Sequence, residues 1–359
     1  MILEFLYPLV KYFTAFNVLK YITFRGAYAA LTTLLFCFIF GPRLIEALRK
    51  FKIGQVIRRD GPQSHLVKTG TPTMGGVFFV VSVVIAVLLW QDLENWKVWL
   101  TLGAFVALAF IGFLDDYLKI SRRNSDGLPP LGKLIGQGAV AVSVALLLYF
   151  YGEKGTTDLY VPFFKNAVVD MGVFWIPFAV LLIMGESNAV NFSDGLDGLA
   201  AGLLIFVFIA LAILTYISGR VDYSAYLGIP YIPGAGELTV FCLAAVGACV
   251  GFLWFNAHPA DIFMGDVGSL PMGGIIAVIS LIIKKEILVL IIGGVFVLEI
   301  ASVVIQVASY KLRKKRVFKM APIHHHFELA GWAENKIVVR FWILGGLFAI
   351  IALSTLKIQ

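Results

Sequence analysis

Charge is scarce in this chain. Asp, Glu, Lys and Arg together make up 14% of its 359 residues, where an ordinary soluble domain carries about 25%. Hydrophobic residues make up 60% and the mean hydropathy is +0.89, so a large soluble fold is excluded in favour of a membrane protein. Cysteine is also rare. Cys37, Cys242 and Cys249 all lie inside apolar runs, where they act as small hydrophobes and exclude a disulfide framework. No internal repeat and no low-complexity linker interrupts the chain, so residues 1–359 read as one integral membrane domain. A small-residue cleavage site is missing after the first basic and apolar stretch, which argues against a removable signal peptide.

What is present is a series of apolar windows about as long as a helix needs to cross a hydrocarbon core, about 20 residues. They fall near 26–41, 73–90, 98–114, 134–151, 172–187, 198–217, 238–255, 269–283, 287–309 and 338–356. The fold class expected is therefore an all-α polytopic membrane protein with about ten transmembrane helices. Its connections alternate sides. Those at 42–72, 115–133, 188–197, 256–268 and 310–337 hold 18 Lys and Arg, against 10 on the other side. Basic residues concentrate in cytoplasmic loops, so the richer side is expected to be cytoplasmic and both termini outside. The net charge of +7 then reflects topology and attraction to anionic lipids and ligands, and not nucleic-acid binding.

The polar stretches that break the apolar pattern reach one face. They are "SHLVKTGTPTMGG" before the second window, "GFLDDYLK" after the third, "NAVNFSDGLDGLAAG" between the fifth and sixth, "NAHPADIFMGDVGSL" between the seventh and eighth, and "APIHHHFELAGW" before the tenth. Each has a bland reading. Asp115 and Asp116 suit a solvated helix end or a cap. Asp194 and Asp197 would share a face if helical, although Gly195 and Gly198 also suit a tight turn. Asp261 suits solvent, and Lys68, Lys119 and Lys133 obey the positive-inside rule. His324, His325 and His326 are consecutive, so their side chains diverge and cannot make a three-histidine metal site; a phosphate or carboxylate contact fits them better. Glu299, deep in the ninth window, should face protein or a cavity.

Taken together, carboxylates without a cysteine framework favour a hard cation held by oxygen, such as magnesium shared with substrate phosphates. Nearby lysines would offset phosphate charge. Phosphoryl transfer at the membrane surface needs this combination, with a lipid phosphate as one reactant and a soluble nucleotide as the other. An ion-coupled transporter is the leading non-enzyme alternative, but such carriers place ionisable groups near the midplane and often use inverted repeats.

These stretches, together with "FNVLKYITFR", "GFLWFN" and "VVRFW", resemble the polyprenyl-phosphate hexosamine-1-phosphate transferases nearly from end to end. "HHHFELAGW" and "SHLVKTGTPTMGG" mark the branch that takes a muramoyl-peptide donor. The resemblance implies ten helices in the bacterial inner membrane, a homodimer, and Mg2+ as cofactor. It also implies transfer of phospho-MurNAc-pentapeptide from UDP-MurNAc-pentapeptide to undecaprenyl phosphate, giving lipid I and UMP. By matching position it assigns Asp115, Asp116 and Asp266 as catalytic carboxylates, with Asp266 and Asp116 on the metal and Asp115 activating the lipid phosphate. It assigns Lys68, Thr73, Asn191, Asp194, Asp197, Asn256 and Phe263 to the uridine donor, Phe263 as a stacking surface. Lys119 and Lys133 would meet phosphates, and His324 and His325 the diphosphate or sugar. Phe192, Ser193, Glu186 and Asp261 depart from the family pattern.

A phosphate monoester has a second pKa of about 6 and is largely dianionic at neutral pH, which favours its direct attack on the donor over a covalent carboxylate intermediate. If Asp115 serves mainly as a base, the transfer-rate deficit of Asp115→Asn is expected to shrink at high pH. A pH–rate profile showing a constant deficit assigns Asp115 to metal or positional work instead.

Overall fold

The computed structural model describes residues 1–50, 70–122, 127–164 and 166–357. Short helical turns open the chain, beginning with α1 (Ile2–Leu6), and α2 (Ile22–Lys50), α3 (Gly76–Trp90), α4 (Trp96–Ser121) and α5 (Pro130–Tyr151) follow. A two-stranded antiparallel hairpin, β1 (Asp158–Leu159) and β2 (Val169–Asp170), precedes α6 (Trp175–Ser193), α7 (Leu199–Ser218) and the short α8 (Val221–Leu227). The remainder is α9 (Leu238–Asn256), α10 (Asp266–Ile282), α11 (Glu286–Ile292), α12 (Gly294–Arg313), α13 (Ile323–Leu329) and α14 (Glu334–Ser354). Among the described residues, eight helices are long and apolar enough to cross a membrane, and α3 and α10 are shorter apolar helices. The protein is thus helical and polytopic.

The helices differ from the apolar windows in informative ways. On one end of the bundle they run past the windows: α2 continues to Lys50, α4 to Ser121 and α6 to Ser193, while α5 begins at Pro130. Hydropathy marks the stretch suited to lipid, whereas a helix continues into water as long as its backbone bonds are kept. Pro130 suits the first turn of α5, where its missing N–H would have no helical partner. The ninth window, expected as one helix, is two. α11 ends at Ile292 and α12 starts at Gly294, because the Gly293–Gly294 pair removes the side-chain packing that keeps a helix straight.

α10 lies at the centre, with every residue from Val267 to Ile282 buried. It packs against α4 and α6, and the contacts are close because glycines face them. A Cβ on Gly273 would stand 2.2 Å from the Glu186 carbonyl of α6, and one on Gly112 of α4 would stand 2.2 Å from the Asp266 carbonyl. With little hydrophobic drive between helices in lipid, small residues that admit close backbone approach do much of the packing. At the opposite end of the bundle, Arg25 makes paired bonds of 2.7 and 2.6 Å to Glu237 and donates to the Trp90 carbonyl, tying α2 and α3 to the start of α9.

Gly112→Ala is expected to cost about 1–3 kcal/mol, as overpacking does in a tight interior. Thermal unfolding in detergent checks it against Gly103→Ala on the same helix, where an added Cβ meets nothing within 4 Å and no loss is expected.

Candidate active site

The Gly112 contact brings the last turns of α4 against the first residue of α10. Asp115, Asp116 and Asp266 thereby offer carboxylate oxygens that all lie within 4.8 Å of one another. Asp115 and Asp116 are buried at 4% and 3% exposure, so neither is the solvated helix end that a bland reading allows. Each carboxylate is held by the fold on one side. Asp115 Oδ1 accepts the Leu128 N–H at 2.8 Å, Asp116 Oδ2 accepts the Val267 N–H at 3.2 Å, and Asp266 Oδ1 accepts from Asn191 Nδ2 at 2.7 Å. Asp116 therefore caps α10, a helix far along the chain, and Asp266 sits at the positive end of that helix.

On the other side the carboxylates share cations. Lys119 Nζ bonds Asp115 and lies 3.3 Å from both Asp116 and Asp266, while Lys133 Nζ lies 2.6 Å from Asp266. Two carboxylates about 5 Å apart repel by about 3 kcal/mol at an effective dielectric of about 20. With all three ionised, they exceed the two ammonium groups by one negative charge, which favours a further cation. Its donors are all hard oxygens and one ammonium already touches all three, so these residues fit a hard divalent cation such as Mg2+.

Several of the residues that the resemblance assigns to the donor lie beside this cluster. The strip from Pro72 to Gly76 runs beside residues 263–264, with Phe263 N–H donating to Pro72 at 2.9 Å and Gly75 and Gly76 N–H donating to Phe263 and Met264 at 2.8 Å each. Thr73 thus sits next to Gly265, whose φ of 73° is left-handed and whose missing Cβ leaves room for Asp116. Asn191 also donates to Ser269 Oγ at 2.8 Å. Asp194 Oδ2 accepts the Gly265 N–H at 3.2 Å, and burial, aided by the Asp266 charge, pushes its carboxyl well above the usual range. Phe263 is partly exposed.

Some expected partners separate. Asp194 and Asp197 lie in a turn, not on one helix face. Asp197 Oδ2 pairs with His258 Nδ1 at 2.9 Å and accepts the Ala260 N–H at 3.2 Å, while its own N–H donates to Glu334 Oε1 at 2.9 Å. Asp197, His258 and Glu334 form a second group whose atoms could hold a metal. Asn256 uses both ends of its amide within the fold, donating to the Ile262 carbonyl at 2.8 Å and accepting the Gly198 N–H at 3.0 Å. The three histidines of α13 have three different partners. His324 Nδ1 meets Glu299 at 3.1 Å, His325 Nδ1 meets Glu328 at 2.6 Å, and His326 Nδ1 accepts the Lys319 N–H at 3.1 Å. Glu299 is fully buried, facing protein as its position in an apolar run requires. Asp261 is exposed and pairs with Arg49 at 2.9 Å. Lys68 lies outside the described residues. His258 and Glu334 escaped the sequence reading; the available signals were the polar "HPAD" after Asn256 and an acid opening the last helix.

Comparison with known proteins adds a family. The model of "Glycosyl transferase family 4" matches residues 98–284, and "Phospho-N-acetylmuramoyl-pentapeptide-transferase signature 1" matches residues 68–80. The chain is 51% identical to the phospho-N-acetylmuramoyl-pentapeptide-transferase of Thermodesulfovibrio yellowstonii and 52% identical to those of Citrifermentans bemidjiense and a Geobacter species. In each case the match covers 100% of both chains.

A carboxyl whose native pKa is raised destabilises the fold once pH climbs above its unfolded value of about 3.9. Asp194→Asn, which can keep the bond to Gly265 without ionising, is therefore expected to unfold at a higher temperature than the parent near neutral pH. Melting curves should show the difference vanish as pH falls to about 4.

Proposed function

The chain belongs to the phospho-N-acetylmuramoyl-pentapeptide-transferase family, a phosphotransferase of peptidoglycan synthesis, and from that premise we propose the reaction in detail. The protein transfers phospho-MurNAc-pentapeptide from UDP-MurNAc-pentapeptide to undecaprenyl phosphate, releasing UMP and leaving lipid I in the membrane. The observation that carries this reading is the meeting of Asp115, Asp116 and Asp266 around Lys119 and Lys133 at one end of an apolar helix bundle. We place that end at the cytoplasmic face of a bacterial inner membrane, with ten crossings, both termini outside and two chains in a homodimer. The excess of basic residues in the connections on that side supports the orientation.

In this reading Asp266 and Asp116 would hold Mg2+, which would supply positive charge for the donor diphosphate. Lys119 and Lys133 exchange carboxylate partners for phosphate oxygens when substrates arrive, since an ammonium is a mobile point charge with three donors. Asp115, anchored by the Leu128 N–H, orients the attacking lipid phosphate. Thr73, Asn191 and Asp194 line the donor side, Lys68 is assigned to the donor by family position alone, and the partly exposed ring of Phe263 offers a face for uracil. Asp197 and Asn256 act there by bracing the turn after α6 against the Ile262 segment. His324 and His325 border the sugar and diphosphate. Catalysis then rests mainly on positioning and charge, as phosphoryl transfer generally does.

Release of UMP from UDP-MurNAc-pentapeptide, dependent on both Mg2+ and undecaprenyl phosphate, is the expected result with protein in detergent. Faster release from UDP-GlcNAc under the same conditions would assign the chain to a sister reaction, and no release from either donor would refute the transferase reading. Asp266→Asn is expected to raise the Mg2+ concentration needed for half-maximal rate by at least about tenfold, the loss typical when a charged partner of a bound ion is removed; a normal titration would remove Asp266 from the metal.

A further inference from the structure

Two fully buried side chains outside the carboxylate cluster are left half satisfied. Glu299 of α12 and His324 of α13 both have 0% exposure, and Glu299 Oε2 lies 3.1 Å from His324 Nδ1. Glu299 Oε1 and His324 Nε2 have no hydrogen-bond partner among the described residues. Buried polar atoms are rarely left in that condition, and each such case asks for an explanation. Here direction supplies one. A Cβ on Gly195 would stand 2.5 Å from His324 Nε2, so the unpaired nitrogen is aimed at the turn that follows Asp194. That turn borders the site, because Asp194 holds the Gly265 N–H beside Asp266. Only a residue without a side chain fits at 195, so this nitrogen packs against the backbone of that turn.

The chemistry of the pair then determines which nitrogen is available. With Glu299 ionised, its carboxylate only accepts hydrogen bonds, so the bond to it places a proton on His324 Nδ1. In free imidazole the proton is not so constrained, and the orientation of a histidine and its tautomer are commonly set by the partner of its other nitrogen. The neighbouring ring of His325, 4.1 Å away between centroids, limits rotation of His324. His325 and His326 are engaged with Glu328 and the Lys319 N–H, which leaves His324 as the imidazole aimed at the turn.

We propose that Glu299 is a positioning residue, which keeps the proton on His324 Nδ1 and presents Nε2 to a polar group on the sugar-diphosphate part of the donor. This rests on the transferase function proposed above. With its proton held on Nδ1, His324 accepts from a hydroxyl or amide of the donor through Nε2, whereas without Glu299 the tautomer is no longer fixed and that acceptor is lost.

The test joins a spectroscopic reading to kinetics. Protein labelled with 15N-histidine, with the His324 signals identified by their loss in His324→Asn, is expected to show a protonated Nδ1. Glu299→Leu is expected to lose that signature and to raise the donor KM about tenfold, the scale of one lost hydrogen bond, with the KM for undecaprenyl phosphate unchanged. Glu299→Gln keeps an acceptor oxygen and should restore both the signature and the donor KM, which separates orientation from a folding defect. The double variant Glu299→Leu with His324→Asn should be no worse than His324→Asn alone. An unprotonated Nδ1 in the parent protein, or a Glu299→Leu variant with unchanged signature or unchanged donor KM, overturns the proposal. Failure of the parent protein to release UMP from the donor refutes the transferase reading instead, and the NMR reading distinguishes the two because it needs no turnover.

Discussion

Backbone meets backbone where Gly112 of α4 faces the Asp266 carbonyl of α10, at a distance that admits no side chain between them. The rest of the site depends on this approach. It brings the end of one helix, which carries Asp115, Asp116 and Lys119, against the start of another, which carries Asp266 at its positive pole. Three carboxylates can then share one ammonium. Were the helices a few ångströms further apart, Lys119 would be one more basic residue at a membrane boundary and the two adjacent aspartates would be ordinary helix-end acids.

Burying this much charge is costly, and an ion pair in a low-dielectric setting gives little net stability. The fold tolerates it by giving each carboxylate a neutral donor as well as a cation: the Leu128 N–H for Asp115, the Val267 N–H for Asp116 and the Asn191 amide for Asp266. The surrounding connections are braced to each other in the same way. Asp194 reaches Gly265, Asn256 spans Gly198 and Ile262, and Asp197 joins His258 to the start of α14. A site preorganised by such bonds keeps its charges in place before substrate arrives, which is where electrostatic catalysis gains most.

Much of the helical architecture was legible because lipid imposes a simple demand on composition: about 20 apolar residues with every backbone group bonded inside the segment. The same demand explains the misses. It is silent about helix beyond the lipid, so the extensions of α2, α4 and α6 were invisible, and it does not distinguish one long apolar helix from two separated at Gly293. Among site residues, Asp115 and Asp116 stood out because two carboxylates end an apolar run, whereas Asp266 was legible only through the family resemblance. His258 and Glu334 did not, since a histidine before proline and an acid in a first helical turn are common on any surface. Thr73 was legible only as part of a longer pattern, and its place beside Gly265 comes from the backbone pairing of residues 72–76 with 263–264.

Taken alone, the chain's order of residues determined its solvent and its class: long apolar segments dictate a helical membrane protein, and polar stretches between them dictate which connections carry chemistry. It also determined the residue types, hard oxygens with lysines, that suit a divalent cation and phosphates. Tertiary structure decided which of those groups meet. Asp266 is 150 residues from Asp116 in the chain, and only the close crossing of α4 and α10 joins them; Asp194 and Asp197, three residues apart, diverge because the turn between them points one at Gly265 and the other at His258. The physical reason is that apolar pattern depends on local composition, whereas an electrostatic site depends on distances of a few ångströms between remote segments, and those distances follow from how backbones pack.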